Sequence, residues 1–190
     1  HKKEANGNTY PFLVLPFCVG GNLKQLIQSK SFVDSETSFA ILEQIALAID
    51  HAHKNGFVHG DIKPENILFN AQDVAMLSDF GITGHINIQL TETTKSGRPE
   101  EIFGSYAYMA PEQRENSKRS DTLLPSIDIF SFGVICYEMM TGKLPFGDWN
   151  FTYDMEPYLY NAKNGVITDP SSYDVTLPNN WKDIIYRCLQ

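Results

Sequence analysis

Residues Ser126 to Thr141 (Ser-Ile-Asp-Ile-Phe-Ser-Phe-Gly-Val-Ile-Cys-Tyr-Glu-Met-Met-Thr) constrain the fold more than any other stretch. They are apolar around most of a helical circumference and stop at Gly142, with Pro145 following. A helix without a wide polar face belongs at the centre of a domain, with other elements packed around it. A chain of 190 residues, 42% of them apolar, can bury one core of that kind. The rest of the pattern supplies its partners. From Asp34 or Ser35 as N-cap, with Glu36 in the first turn, apolar residues recur at Phe39, Leu42, Ile45, Ala46, Ile49 and Ala52, and Asn55-Gly56 ends the run. Shorter helices are predicted over Asn22 to Ser29 and from about Asn180, the latter with Trp181, Ile184, Ile185 and Cys188 or Leu189 on one side. Tyr10 to Phe17, broken by Pro11 and Pro16, predicts a strand running into a connector at Gly20-Gly21. Between Phe57 and Ile82 the helical period gives way to short apolar pieces (Phe57-Val58, Ile67 to Phe69, Ala75 to Leu77) that predict short strands joined by loops.

Charge and cysteine usage exclude several classes. A net charge of -8 and a pI near 5.0, with no basic cluster, lack the electrostatic footprint of a nucleic-acid binder or of a protein that sits on anionic membranes. The longest apolar runs, Phe12 to Val19 and Phe132 to Tyr137, fall well short of the roughly 20 residues of a membrane helix. Cys18, Cys136 and Cys188 are odd in number and far apart, which predicts neither disulfides nor a zinc site and points to a reducing, cytoplasmic setting. The start His1-Lys2-Lys3-Glu4 is not a secretory leader, and a chain opening on His predicts a piece of a longer protein. Gly84 to Gly104 has no sustained period, a length of loop that is uncommon unless functional.

The chemistry gathers in His59-Gly60-Asp61-Ile62-Lys63-Pro64-Glu65-Asn66, followed by Asp79-Phe80-Gly81. A magnesium nucleotide needs few hard oxygen ligands, because the metal keeps waters and phosphates for its other positions. Asn66 and Asp79 can supply such ligands. Asp61 is then left to orient an attacking hydroxyl and accept its proton, while Lys63 offsets charge on the moving phosphoryl group. Phosphoryl transfer asks mainly for such positioning and charge stabilisation.

These segments resemble the catalytic and metal-binding loops of eukaryotic-type (Hanks-type) serine/threonine protein kinases. Gly104 to Glu112 is similar to the substrate-side loop and Ala-Pro-Glu ending of that family, and Asp128-Ile129-Phe130-Ser131-Phe132-Gly133 to the start of its central helix. The resemblance implies a protein kinase-like fold, mainly α with short β hairpins, seen as the large C-terminal lobe. Residues 1–18 would be the last strand of the small lobe plus the hinge, and residues 19–190 the C-terminal lobe, truncated before its last helix. It implies ATP and magnesium as cofactors, a protein substrate, and a missing small lobe as partner. Asp61, Lys63 and Ser105 would be catalytic, Ser105 meeting both of the others, with Asn66 and Asp79 on the metal. Leu15 as gatekeeper, the backbone of Pro16 and Cys18, and Leu68 would hold the adenine. His59 and Phe80 would stack, and Asp128 would brace the catalytic loop through backbone N–H groups.

Three departures qualify the resemblance. Gly60 stands where most such kinases have Arg, which implies weaker dependence on loop phosphorylation, for which Thr91, Thr93, Thr94 and Ser96 are the candidates. Nothing before Tyr10 resembles the Gly-rich loop, the strand lysine or the helix glutamate, so the chain alone is expected to be inactive. Glu112 is expected to lack its usual arginine partner. Trp149, Phe151, Tyr153, Tyr158 and Tyr160 are expected in packing roles. The rival readings are a small-molecule phosphotransferase of the aminoglycoside or choline kinase kind, and a pseudokinase or scaffold.

Overall fold

The computed structural model describes residues 2–5, 8–11, 14–29, 34–80, 106–115, 124–148, 155–173 and 175–190. Strands β1 (Lys2–Ala5) and β2 (Asn8–Pro11) form an antiparallel hairpin; helices α1 (Leu23–Ser29) and α2 (Ser35–Lys54) follow. A 3-10 turn at Pro64–Asn66 leads into a second antiparallel hairpin, β3 (Ile67–Phe69) with β4 (Ala75–Leu77). Helices α3 (Pro111–Glu115), α4 (Pro125–Thr141), α5 (Glu156–Lys163) and α6 (Asn179–Cys188), with a second 3-10 turn at Pro170–Tyr173 between the last two, complete the described elements.

Helix α4 is the predicted central helix. Pro125 occupies its first turn after an extended Leu124, and Gly142, at φ 68°, closes it with its N–H on Glu138 O at 2.8 Å. Every residue from Ser131 to Met140 is buried. Helices α2 and α6 both pack on α4. Where α6 arrives, Gly133 leaves room for Cys188 and Leu189.

Helix α2 starts where the sequence predicts, with the Asp34 carboxylate accepting from Thr37 N–H at 2.9 Å and from the Thr37 hydroxyl at 2.8 Å. Its buried side is rotated from the predicted one. Ser38 and Ile41 join Leu42, Ile45, Ile49 and Ala52, while Ala46 is exposed, because α2 packs against β4 as well as α4. Phe39, half-buried, meets the Trp181 ring edge-on at 4.7 Å. Helix α1 opens on a reciprocal cap: Gln25 N–H donates to Asn22 Oδ1 at 2.9 Å and Asn22 N–H to Gln25 Oε1 at 3.1 Å. On α6, Ile185 faces the core, as does Leu189 just past its end, and Ile184 is exposed.

Three local expectations are corrected. The strand predicted over Tyr10 to Phe17 lies earlier, at Asn8–Pro11, and it is paired with a strand that was not expected, Lys2–Ala5. Residues Val14 to Cys18 have no regular structure, and Leu15 and Phe17 are 66% and 88% exposed. Pro16 has no N–H for a ladder, and no strand pairs with this segment among the described residues. Phe57-Val58 is not a strand, since Phe57 N–H turns back onto Ala52 O at 2.9 Å as α2 ends. Tyr158 is buried but Tyr160 is exposed, and Trp149, Phe151 and Tyr153 lie outside the described residues. No described helix is long and apolar enough to cross a membrane.

A Cβ at Gly133 would stand 2.7 Å from Cys188 Cβ and 3.0 Å from Leu189 Cδ2. Gly133→Val is expected to lower stability by about 1–3 kcal/mol by forcing α6 off α4, read as a reduced urea midpoint.

Candidate active site

The site is assembled on one carboxylate of the central helix. Asp128, 1% exposed, accepts from His59 N–H on Oδ2 and from Gly60 N–H on Oδ1, both at 2.8 Å, and His53 Nε2 donates to Oδ2 at 2.8 Å. Burying a carboxylate is costly unless charge-assisted hydrogen bonds replace its water, and these three donors do so. The carboxylate therefore fixes the loop that enters the site. Gly60 has a φ of 76°, a left-handed conformation that glycine takes without the penalty a side chain would bring.

The loop then bonds to itself. His59 Nδ1 accepts from Asp61 N–H at 3.2 Å, and His59 Nε2 faces Ser78 O at 2.8 Å, so Nε2 carries the donated proton. The His59 and Phe80 rings lie 4.6 Å apart at 54°, the predicted contact in a tilted form. Pro64 starts the 3-10 turn that swings Asn66 back toward Asp61, where Asn66 Nδ2 donates to Asp61 O at 2.8 Å and to Asp61 Oδ2 at 3.1 Å. Lys63 Nζ reaches the same Oδ2 at 2.8 Å.

Ser78 joins this loop to the next. Its N–H and hydroxyl both donate to Asn66 O, at 2.9 and 3.0 Å, which sets the following Asp79 beside the Asn66 turn. Asp79 is exposed, with a φ of 62°, a conformation uncommon for a residue with a side chain and often found at functional sites. Asp61, Lys63 and Asn66 are thus brought together, with Asp79 held next to them through Ser78.

A second segment closes in from the substrate-loop side. Tyr108 hydroxyl donates to Glu138 Oε2 at 2.6 Å, Ser131 hydroxyl to Tyr108 O at 2.7 Å, and Tyr158 hydroxyl to Ala107 O at 2.9 Å. Burial raises the Glu138 carboxyl above its ordinary pKa, opposed by the donated Tyr108 hydroxyl and by the Lys24 ammonium. Burial, and then the Glu138 charge, push the Tyr108 hydroxyl well above its own. Glu112 accepts from the Ser126 hydroxyl at 3.4 Å and has no ion pair among the described residues.

Of the predicted adenine contacts, Leu15 and Pro16 are exposed and Cys18 is half-buried. The connector after them is fixed by Gly20 N–H on Phe69 O and Phe69 N–H on Gly21 O, each at 2.9 Å, with Asn22 bridged to Leu68. Gly20 is required at this approach, since a Cβ there would lie 2.6 Å from Phe69 Cβ. Ser105, Gly81, Thr91, Thr93, Thr94 and Ser96 lie outside the described residues. Two site residues escaped the sequence reading. His53 follows Ile45 and Ile49 at four-residue spacing, so a polar residue on an apolar stripe was its signal. Gln113, whose Nε2 donates to Gly60 O at 2.6 Å, had none.

Asp128→Ala leaves two buried backbone donors unpaired. It is expected to cost about 2–5 kcal/mol and to speed amide hydrogen exchange at His59 and Gly60, read by urea unfolding and native-state exchange.

Residues 3–190 match the protein kinase domain family. The chain is 37% identical over 192 residues to a probable serine/threonine-protein kinase of Clostridium acetobutylicum, covering 98% of this chain and 26% of that protein. It is 29% identical over 188 residues to the probable serine/threonine-protein kinase PknB of Bifidobacterium longum, covering 98% and 26%. It is 33% identical over 135 residues to the serine/threonine-protein kinase PrkC of Bacillus subtilis, covering 71% and 19%. The chain spans about a quarter of the length of the first curated relatives it matches. With the Asp61 loop, the Asp79 turn and the central α4 in the order and contacts described, this chain belongs to the protein kinase domain family.

Proposed function

We propose that this chain is the large catalytic lobe of a serine/threonine protein kinase, which transfers the γ-phosphate of ATP to Ser or Thr hydroxyls of proteins when a small lobe completes it. The observation that carries the reading is the state of the Asp61 carboxylate. Oδ2 is taken by the Lys63 ammonium and the Asn66 amide, which leaves Oδ1 for the proton of an acceptor hydroxyl. Lys63 holds that carboxylate in place and brings a positive charge to the point where phosphoryl oxygens would pass.

The donor set also fits a magnesium ion. Asn66 spends its amide N–H groups on Asp61, so its Oδ1 is the atom it can offer a cation, and the exposed Asp79 carboxylate adds a second hard oxygen beside it. Magnesium there would draw phosphate oxygens together and spread their charge. Pro16 can give adenine only its carbonyl, Cys18 both backbone groups, and Leu68 an apolar surface below the ring. Ser105 is assigned to bridge Asp61 and Lys63. The three free thiols fit a reducing compartment. The names of the relatives favour protein over small-molecule acceptors.

Radiolabelled phosphate transfer from Mg-ATP to a generic protein tests the reading with three forms: this chain, a form extended upstream, and the extended form with Asp61→Asn. The extended wild type is expected to label protein, and Asp61→Asn to fall by about 10²–10⁴-fold. The chain alone is expected near background, because its sequence before Tyr10 has no counterpart of the Gly-rich loop or strand lysine that would hold the triphosphate. Near-wild-type transfer by Asp61→Asn would sink the assignment of the base, and labelling of an aminoglycoside or choline in place of protein would carry the rival reading.

A further inference from the structure

Gly60 is the position of the catalytic loop with the least intrinsic backbone restraint. It has no side chain, its φ is 76°, and a glycine lets its flanking peptide planes turn more freely than any other residue. The plane between Gly60 and Asp61 sets the direction in which the Asp61 side chain leaves the backbone. Its N–H end is held by a long bond, Asp61 N–H to His59 Nδ1 at 3.2 Å. Its carbonyl end is held by a short one: Gln113, 6% exposed, donates from Nε2 to Gly60 O at 2.6 Å.

Gln113 is itself referenced to the same helix as the loop. Its N–H donates to Ala110 O at 3.1 Å, and the preceding Tyr108 carbonyl accepts from the Ser131 hydroxyl of α4 at 2.7 Å. Asp128, one turn earlier on α4, takes the Gly60 N–H at 2.8 Å. The result is a circuit from α4 to the loop, from the loop to Gln113 on α3, and back to α4 through the Tyr108–Ala110 segment that leads into α3.

We infer that Gln113 is a positioning residue for phosphoryl transfer: its amide locks the Gly60–Asp61 peptide plane, so that α3 sets the aim of the Asp61 carboxylate. The inference rests on Asp61 being the base. It predicts a defect in the chemical step and not in substrate binding, since Gln113 is buried and spends its amide on the loop backbone.

Two variants separate this from a packing role. Gln113→Met keeps length and apolar bulk and removes the donor. Gln113→Glu restores a donor only when its carboxyl is protonated, and burial against a carbonyl raises the pH at which that happens. In the full-length protein, Gln113→Met is expected to lower kcat about tenfold, with KM for ATP and acceptor within about twofold of wild type. The kcat of Gln113→Glu relative to wild type is expected to rise as pH falls from about 8 to about 6, while that of Gln113→Met stays flat. A wild-type kcat in Gln113→Met, a loss carried by KM, or a flat Gln113→Glu ratio overturns the inference. Should Gln113→Met not fold, the Gln113→Glu pH ratio decides alone. If the wild type transfers no phosphate, the assignment of Asp61 falls instead. Amide exchange then decides the clamp: faster exchange at Asp61 in Gln113→Met supports it, and unchanged exchange overturns it.

Discussion

A carboxylate buried in an apolar helix has to find donors, and the arrangement of this molecule follows from where Asp128 finds them. Helix α4 is wrapped by α2 and α6 and offers Asp128 almost no water. Three donors meet it, two of them backbone N–H groups of a loop far away in sequence. In a low-dielectric setting each such bond is strengthened and each missing one is expensive. The loop is therefore drawn to one position, and its two residues His59 and Gly60 are fixed before any reacting group is considered.

Everything nearer the chemistry is hung from that point. His59, held by its N–H, turns its ring to Ser78 O and to Asp61 N–H, coupling two loops through one imidazole. The Pro64–Asn66 turn brings an amide and, through Lys63, an ammonium to a single oxygen of Asp61. Ser78 ties the next turn to the Asn66 carbonyl by two bonds. Backbone groups referenced to α4 thus place the loop, and the side chains of Lys63 and Asn66 then hold the Asp61 carboxylate within it.

Much of this could be read from the sequence, for identifiable reasons. The mostly apolar circumference of Ser126 to Thr141 gave away a buried centre, and Asp34 and Asn55-Gly56 marked the ends of α2. Asp61, Asn66 and Asp79 were legible because their chemistry and order are unusual together. The first hairpin was missed because Lys2–Ala5 shows no apolar alternation, although the Asn6-Gly7 pair between its strands is a strong hairpin signal. The rotated face of α2 was not legible, since a second neighbour, β4, decides it. Gln113 looks like a solvent-facing amide until the Gly60 carbonyl is seen opposite it. Asp79, at positive φ, is a case where local preference and the folded state disagree, which happens most where a site needs a particular backbone.

The distance along the chain between the loop and its brace bears on how the protein is made. Gly60 and Asp128 are 68 residues apart, so the loop leaves the ribosome well before the helix that fixes it. At about 5–20 residues per second, that interval is roughly 3–14 s. During it the nascent segment has α2 and the second hairpin beside it in sequence, but its two backbone donors have water and not Asp128 as acceptor. Closing such a long loop is entropically slow compared with forming the helices themselves. The order of synthesis therefore lets the bonds from His59 and Gly60 to Asp128 form only after the apolar helix has been made.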